Sequence, residues 1–146
     1  MRSALWAAQD ALYAAITGAT FPDREVQIAL GRPATLERDA VWVSGEVDSW
    51  TAEHRVSGLQ AKDETFTLRV YVYSVRLGNY VDARNRVKAL AQVVEDTIYG
   101  DHTLDGTVML SSIERGGMAE AVMEDGRRRQ VLLTLYVNCS AFISAP

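Results

Sequence analysis

Few residues in this chain are of the types that most often bind metal or attack substrates. There are two histidines, His54 and His102, and one cysteine, Cys139. Neither histidine has a Cys, His or Glu partner at the spacing of a metal site, so both are interpreted as solvated loop residues. Cys139 lies in an alternating apolar run, where a small buried thiol is expected. A nucleophilic thiol would need an exposed, low-pKa environment.

Sequence motifs that cradle phosphate or activate a serine are also missing. The chain contains no Gly-x-x-x-x-Gly-Lys-Ser/Thr, no Gly-x-Gly-x-x-Gly and no Gly-x-Ser-x-Gly pattern. The pair Gly116-Gly117 falls between two expected strands, where a tight turn explains it. We therefore predict that the protein is not an enzyme and that it binds no metal and no cofactor.

An arginine run, Arg127, Arg128 and Arg129, is the strongest basic cluster. Taken alone, it would suggest contacts with phosphates. It lies beside acidic residues at an expected hairpin tip and has no interleaved aromatic residues. It is interpreted as a solvated turn, with a charged contact between subunits as the alternative. Whether it faces DNA is left open.

Acidic residues gather around the C-terminal end of an expected long helix. A helix dipole favours cations at that end, so carboxylates there are misplaced. Acid/base catalysis by paired carboxylates would need a pocket and a shifted pKa, and the sequence indicates neither. We instead expect a contact in which this end meets Arg127–Arg129 of a neighbouring subunit. The acids concerned are Glu95, Asp96, Asp101 and Asp105.

A long strand from Glu64 to Val75 is the clearest strand signal. Its residues alternate strictly, and at about 3.3 Å per residue the strand would span roughly 40 Å. One face is apolar, while the other carries tyrosines and is expected to meet a helix or another subunit. The apolar face holds Phe66, Leu68, Val70 and Val72, and the second face holds Thr67, Arg69, Tyr71 and Tyr73.

A long amphipathic helix is predicted from Tyr80 to Tyr99, with Asn79 as its N-cap and Gly100 just after its end. Apolar residues recur at steps of three and four along one stripe. The stripe consists of Ala83, Val87, Leu90, Ala91, Val94 and Ile98.

The remaining pattern predicts a first helix, capped by Ser3 and ending near Thr17, and several shorter strands. Short links between strands favour antiparallel pairing. The fold class expected is α+β: a mostly antiparallel sheet with one long helix in the C-terminal half and an N-terminal helix packed on it. The shorter strands are Glu25 to Leu30, Ala40 to Val47, Gly106 to Glu114, Met118 to Glu124 and Gln130 to Phe142.

An irregular stretch from Asp48 to Asp63 has no sustained period and is predicted to be a flexible loop or hairpin. Long loops inside compact domains are usually functional or flexible. Trp50 is its best anchor for a partner, since tryptophan is enriched at interface hot spots. The alternative for Trp50 is a cover over the domain's own core. Further contact candidates in or beside the loop are His54, Arg55 and Lys62.

Length and composition limit the classes of protein that remain. At 146 residues, the chain is expected to be a single domain, residues 1–146. A net charge of −4 and a pI near 5.1 disfavour a free-standing nucleic-acid binder. One cysteine cannot form an internal disulfide, and neither a signal peptide nor a membrane helix is indicated. A reducing, soluble compartment is therefore expected.

Two segments together resemble the tail terminator (tail completion) proteins of long-tailed bacteriophages. The first is Lys62-Asp63-Glu64-Thr65-Phe66, which opens the long strand and is followed by the helix with Ala83-Arg84 and Val94-Glu95. The second is Leu104 to Val108, a Leu-x-Gly-x-Val pattern that leads into the next strand. The resemblance covers Ala40 to Ile143, and the first helix is compatible with it.

This resemblance implies a structural virion protein that forms a homo-oligomeric ring, typically a hexamer. Such a ring caps the tail tube, stops its polymerisation and provides the surface that joins the head. The implied partners are copies of itself, the tail tube protein and a head-completion or neck protein. DNA passes through the lumen without sequence-specific binding, and no membrane is involved. The implied location is the head–tail junction of the virion, after assembly in the host cytoplasm.

Two alternatives remain beside the terminator. The first is another phage neck or head-completion ring protein, which shares size and ring habit and differs in its partner. The second is a small ferredoxin-like ligand-binding module or enzyme, which would need a pocket with converging polar groups. Its lining would come from His54, Arg69, Tyr71 and Tyr73.

Overall fold

The structure is a computed structural model that describes residues 3–22, 25–54 and 62–143. Two helices and five strands make up the described part. They are α1 (Leu5–Gly18), β1 (Gln27–Leu30), β2 (Asp39–His54), β3 (Lys62–Leu77), α2 (Tyr80–Gly100), β4 (Leu110–Val122) and β5 (Arg128–Ile143).

All five strands form one mixed sheet in the order β1-β2-β3-β5-β4. The expected fold class, a mostly antiparallel sheet, is therefore wrong. Residues 31–38 return the chain so that β1 runs parallel to β2, with Ile28 beside Val41. Gly31 begins this return with a φ of 81°, in the left-handed region that glycine adopts at no steric cost. A short link was taken to favour antiparallel pairing, and here it joins two parallel strands.

One long helix was also expected, and this part of the fold class is wrong as well. α2 has 21 residues and α1 has 14, so two helices of moderate length share the work of covering the sheet. Both lie on the same side: α1 contacts β1 and β2, and α2 contacts β3, β5 and β4. We call this side of the sheet the helix face and the other side the open face.

The start of α2 and its apolar stripe agree with the sequence pattern. The Asn79 side chain accepts a hydrogen bond from the Val81 backbone N–H at 2.9 Å, as an N-cap does. The stripe fills the space between the helix and the sheet. The buried apolar residues of α2 are Ala83, Val87, Leu90, Ala91, Val94 and Ile98.

Strict alternation along β3 separates the two faces of the sheet. Phe66 and Val70 are buried on the helix face, while Arg69 and Tyr71 lie on the open face. β3 is central, since β2 and β5 pair with it on either side. Its position explains why its pattern is so regular: a slip of one residue would expose the whole apolar set.

β4 is one bulged strand where two strands, Gly106 to Glu114 and Met118 to Glu124, were expected. Arg115 and Met118 are three positions apart in the chain, whereas their partners on β5, Leu135 and Leu133, are only two positions apart. The extra residue falls at Gly116-Gly117, which the sequence interpretation had assigned to a turn. A Cβ atom on Gly116 would lie 2.5 Å from Cε2 of Tyr136, so the bulge needs glycine at this position.

Candidate subunit-contact surfaces

An aromatic cluster occupies the open face near one end of the sheet. The rings of Trp42 and Tyr71 stack with centroids 5.2 Å apart and planes 24° from parallel. Tyr73 is buried beside them, and its burial raises the pKa of its phenol. A groove of about 310 Å³ runs over this cluster, with Arg32 and Glu46 among its lining residues. Trp42 was not singled out from the sequence, because its strand gave only a short pattern.

Arg69 holds an ionic network next to the aromatic cluster. It donates two hydrogen bonds to Asp48, at 2.5 and 2.7 Å, and one to Glu46 at 3.0 Å. A fourth hydrogen bond, 3.2 Å long, joins it to the hydroxyl of Tyr71. The hydrogen bonds from Arg69 lower the pKa of the Asp48 carboxyl. The expected second face of β3 thus brings Arg69, Tyr71 and Tyr73 onto one surface.

Polar side chains pair across the strands on the rest of the open face. The hydroxyls of Thr51 and Thr65 are 2.6 Å apart. Thr67 donates to Asn138 at 2.8 Å, and Asn138 donates to Glu114 at 3.4 Å. These side chains hydrogen-bond to one another across the strands, so this region of the open face is polar.

Trp50 lies near the C-terminal end of β2, and its side chain is held by a hydrogen bond. Its indole N–H donates to Glu64 at 2.9 Å, yet 53% of the residue is exposed. Glu64 is only 1% exposed and also accepts from the Ser3 hydroxyl at 2.7 Å and the Ala4 N–H at 2.8 Å.

Ser3 was expected to cap α1. The N-cap residue is Ala4, which makes no side-chain cap, while the Ser3 hydroxyl accepts a hydrogen bond from the Leu5 N–H.

The stretch Asp48 to Asp63 is partly regular in the described residues. Asp48 to His54 continues β2, Lys62 and Asp63 begin β3, and His54 pairs with Lys62 in register. Arg55, another contact candidate, lies outside the described residues. That this segment contacts a partner stays a prediction.

Asp39 begins β2, at the end of the strand away from Trp50, and was missed from the sequence. Arg76 donates two hydrogen bonds to its carboxylate at 2.8 and 3.0 Å, Arg86 donates one at 2.9 Å, and Ser74 donates one at 2.7 Å. Burial raises the pKa of Asp39, but these hydrogen bonds outweigh it and the pKa lies below its ordinary value. The partners come from β3 and α2, so no spacing in the sequence joins them.

The acids near the end of α2 have partners within the chain. Glu95 is buried and accepts from Arg115 at 2.8 and 3.2 Å. Asp96 accepts from Gln92 at 2.9 Å. Hydrogen bonds from the Asp105 backbone and from Thr103 lower the pKa of Asp101. Glu95 and Asp101 therefore stabilise this region of the fold, and a contact with Arg127–Arg129 of a neighbour stays a prediction.

The arginine run begins in the turn between β4 and β5. Asp125 accepts from the backbone N–H groups of Arg127 and Arg128 and from the Arg128 side chain, and these hydrogen bonds lower its pKa to about 2. Arg127 and Arg128 are exposed, while Arg129 is half-buried between β3 and β4. The run thus presents two exposed arginines at one end of the sheet, and the guanidinium of Arg128 is paired with Asp125.

The remaining chemistry-bearing residues lie apart from one another. Burial raises the pKa of the Cys139 thiol to about 12, as the apolar run suggested. Nδ1 of His102 lies 3.2 Å from the Ser111 carbonyl oxygen, and its ring meets Tyr99 edge-on. Among the described residues, no group of three or more His, Cys, Asp or Glu side chains is placed to hold a metal ion. No helix within those residues is long and apolar enough to cross a membrane.

Comparison with known proteins finds matches among solved structures. No protein-family model and no curated protein matches the chain. Among solved structures, the chain is similar to a chain of the virion of a native gene transfer agent particle. The two are 16% identical, with a TM-score of 0.49, and the match covers 91% of this chain and 94% of the other.

Proposed function

We propose that this chain is a structural virion subunit, a tail terminator that forms a ring at the end of the tail tube. In this role it stops the growth of the tube and presents the surface to which the head is joined. The partners proposed are other copies of the chain, the tail tube protein and a neck protein. The ring lies at the head–tail junction, and DNA passes through its lumen.

One observation carries this proposal: several of the residues on which the family resemblance rests have a role in the fold. Glu64 ties the start of α1 to β3, and Phe66 lies in the core. Leu104 and Val108 are buried in the core, and Gly106 between them has a φ of 77°. The Leu-x-Gly-x-Val pattern is thus two core anchors around a left-handed turn. It supports a shared fold because each position has a structural reason.

The open face supports a role built on contacts. It pairs its polar groups across strands and carries tyrosine and arginine, which are enriched at protein interfaces. The function of a ring subunit is spread over such surfaces. Trp50, which is 53% exposed while its indole N–H is bound by Glu64, is the proposed contact of the β2–β3 pair with the tube or the neck.

Electron microscopy of the purified full-length protein, combined with native mass spectrometry, tests the proposal. We expect a discrete oligomer, with six subunits as the resemblance implies, that appears as a ring with a central hole. Added to growing tail tubes, the ring should sit at one tube end and shorten the tubes. A protein that stays monomeric at high concentration contradicts the proposal. A ring that ignores tubes and binds the portal side indicates the neck alternative.

A further inference from the structure

β4 presents a free backbone edge. Its only strand neighbour in the described part of the chain is β5. The first residues of the edge are covered, because the Ser111 N–H donates to the His102 carbonyl at 2.7 Å. Since antiparallel ladders alternate, the N–H and C=O groups of every second residue then point away from β5. These residues are Ile113 and Arg115 before the bulge and Met118, Glu120 and Val122 after it.

We call Ile113 to Val122 the free half of β4. On the helix face, the other described residues leave most of this half uncovered. Met118 is 51% exposed, and Glu120 and Val122 are exposed too. Ile113, nearer the start of β4, still packs against the core. An exposed edge that carries apolar side chains is a template for pairing with another chain.

The opposite edge of the sheet is β1. It pairs only with β2 among the described strands, and Leu30 at its end is 46% exposed. The register puts β1 level with the free half of β4: Ile28 lies in one row with Met118, and Leu30 in one row with Arg115. β1 also runs antiparallel to β4. The two edges therefore match in their register across the sheet and in their strand direction.

Charges on the open face match in the same way. Arg32 is exposed just beyond the end of β1 and lines the open-face groove. Glu114 is exposed on the open face of β4, in the row next to that of Arg115 and Leu30. If β1 of one copy lay beside β4 of another, the guanidinium of Arg32 and the carboxylate of Glu114 would be neighbours.

We propose that β1 of one copy pairs with β4 of the next, so that the sheet continues from subunit to subunit. The incoming copy brings α1 along on the helix face, where it covers Met118 and Val122. The contact joins two different surfaces, so each copy keeps one free edge of each kind until the chain of subunits closes into a ring. This inference rests on the proposed ring function and names the contact that builds the ring.

Cysteine cross-linking tests which edges meet. In a matching register, Leu30 and Met118 of adjacent copies are diagonal neighbours about 7–8 Å apart. The full chain with Leu30→Cys and Met118→Cys is treated with a short bismaleimide, to which the buried Cys139 is inert. We expect a ladder of covalent multimers up to the ring size. Neither single-cysteine variant should form it. Dimers from one single variant would show like edges pairing and would overturn the proposal.

A pair of matched substitutions tests the energetics. Met118→Lys places a charge where α1 of the neighbour should pack, whereas Ala119→Lys places it on the other face of the same strand. Met118→Lys should weaken assembly by about tenfold or more, while Ala119→Lys should weaken it less. Glu114→Arg should also weaken assembly, and adding Arg32→Glu should restore it. Thermal unfolding of each variant checks that its fold is retained.

The failures of the two proposals can be told apart. If the unmodified protein forms rings that persist in every variant and yield no Leu30–Met118 cross-link, this contact is wrong and the proposed function stands. If the unmodified protein forms no oligomer at all, the proposed function fails and this contact fails with it.

Discussion

Two buried carboxylates, Glu64 and Asp39, fix elements that are distant in the chain. Glu64 accepts from the first turn of α1, where the helix dipole favours an anion, and also from Trp50. Asp39 joins β2 to β3 and α2 through Arg76 and Arg86. Neither role follows from spacing in the sequence, because each carboxylate meets its partners only after the sheet has formed. Residue-scale features of this kind need the structure.

Replacing Glu64 with glutamine should destabilise the protein. The new amide group at one of the two side-chain positions cannot accept hydrogen bonds, so one or more of the Ser3, Ala4 and Trp50 donors is left without an acceptor. We expect the free energy of unfolding to fall by about 1–3 kcal/mol. Urea denaturation measures this free energy. The control is Glu53→Gln at an exposed position of β2, whose free energy of unfolding should lie within about 0.5 kcal/mol of that of the unmodified protein. Equal losses in both variants would contradict the role given to Glu64.

Asp39 should make stability depend on pH on the acid side. Its pKa is lower in the folded chain than in the unfolded chain, so its contribution is complete above the unfolded value of about 3.9. As the pH falls through the folded pKa, that contribution is lost. Asp39→Asn should therefore cost about 3–5 kcal/mol near neutral pH, with a smaller cost at lower pH. Urea titrations from pH 6 to pH 2.5 compare the two proteins; a cost that stays constant over this range would refute the assignment.

Elements with a strong internal period could be predicted from the sequence. The alternation along β3 and the stripe of α2 are set by one buried face each, so Val70 and Leu90 lie where the pattern places them. The direction of β1 could not be predicted, because it depends on how residues 31–38 fold back beside β2. The bulge at Gly116 was taken for a turn, since glycine pairs occur in both and only the partner strand distinguishes them.

The bulge gives a sharp prediction at the scale of the strand. Gly116→Ala forces a Cβ atom to within 2.5 Å of Tyr136 and 2.9 Å of the Thr134 carbonyl oxygen, so either the ring or the strand must move. We expect a loss of about 1–3 kcal/mol in the free energy of unfolding. Gly117→Ala is the matched control, because its Cβ meets nothing within 4 Å. Thermal melts of both variants decide the matter: similar melting temperatures would show that the bulge tolerates a side chain.

At the scale of the whole molecule, the candidate surface was predicted in part. Arg69, Tyr71 and Tyr73 share the open face, as the alternation of β3 required. The free edges were not foreseen. An edge is defined by strand order, and this order depends on pairings such as Leu68 with Val137, which no local pattern encodes. The parts of a surface that come from one strand are thus readable from sequence, while those that come from the order of strands are not.

Ring formation should link stability to protein concentration. When only the folded form of a protein binds other copies, binding stabilises that form by mass action. The melting temperature of such a protein therefore rises with its concentration. We expect such a rise across a hundredfold range for the unmodified protein and a much smaller one for Met118→Lys. Differential scanning calorimetry at several concentrations provides the measurement. A melting temperature independent of concentration in the unmodified protein would argue against assembly.

The place of β5 between β3 and β4 has a consequence for biosynthesis. β5 is the last of the five described strands to leave the ribosome. Yet β4 pairs with it, and it is one of the two strands that flank β3. Until it emerges, the nascent chain holds a β2–β3 pair with an open side and a β4 segment without a neighbour. Exposed strand edges of this kind associate readily with other chains. Until β5 arrives, these edges are open to pairing with a neighbouring nascent chain, and a chaperone that covered them would prevent it.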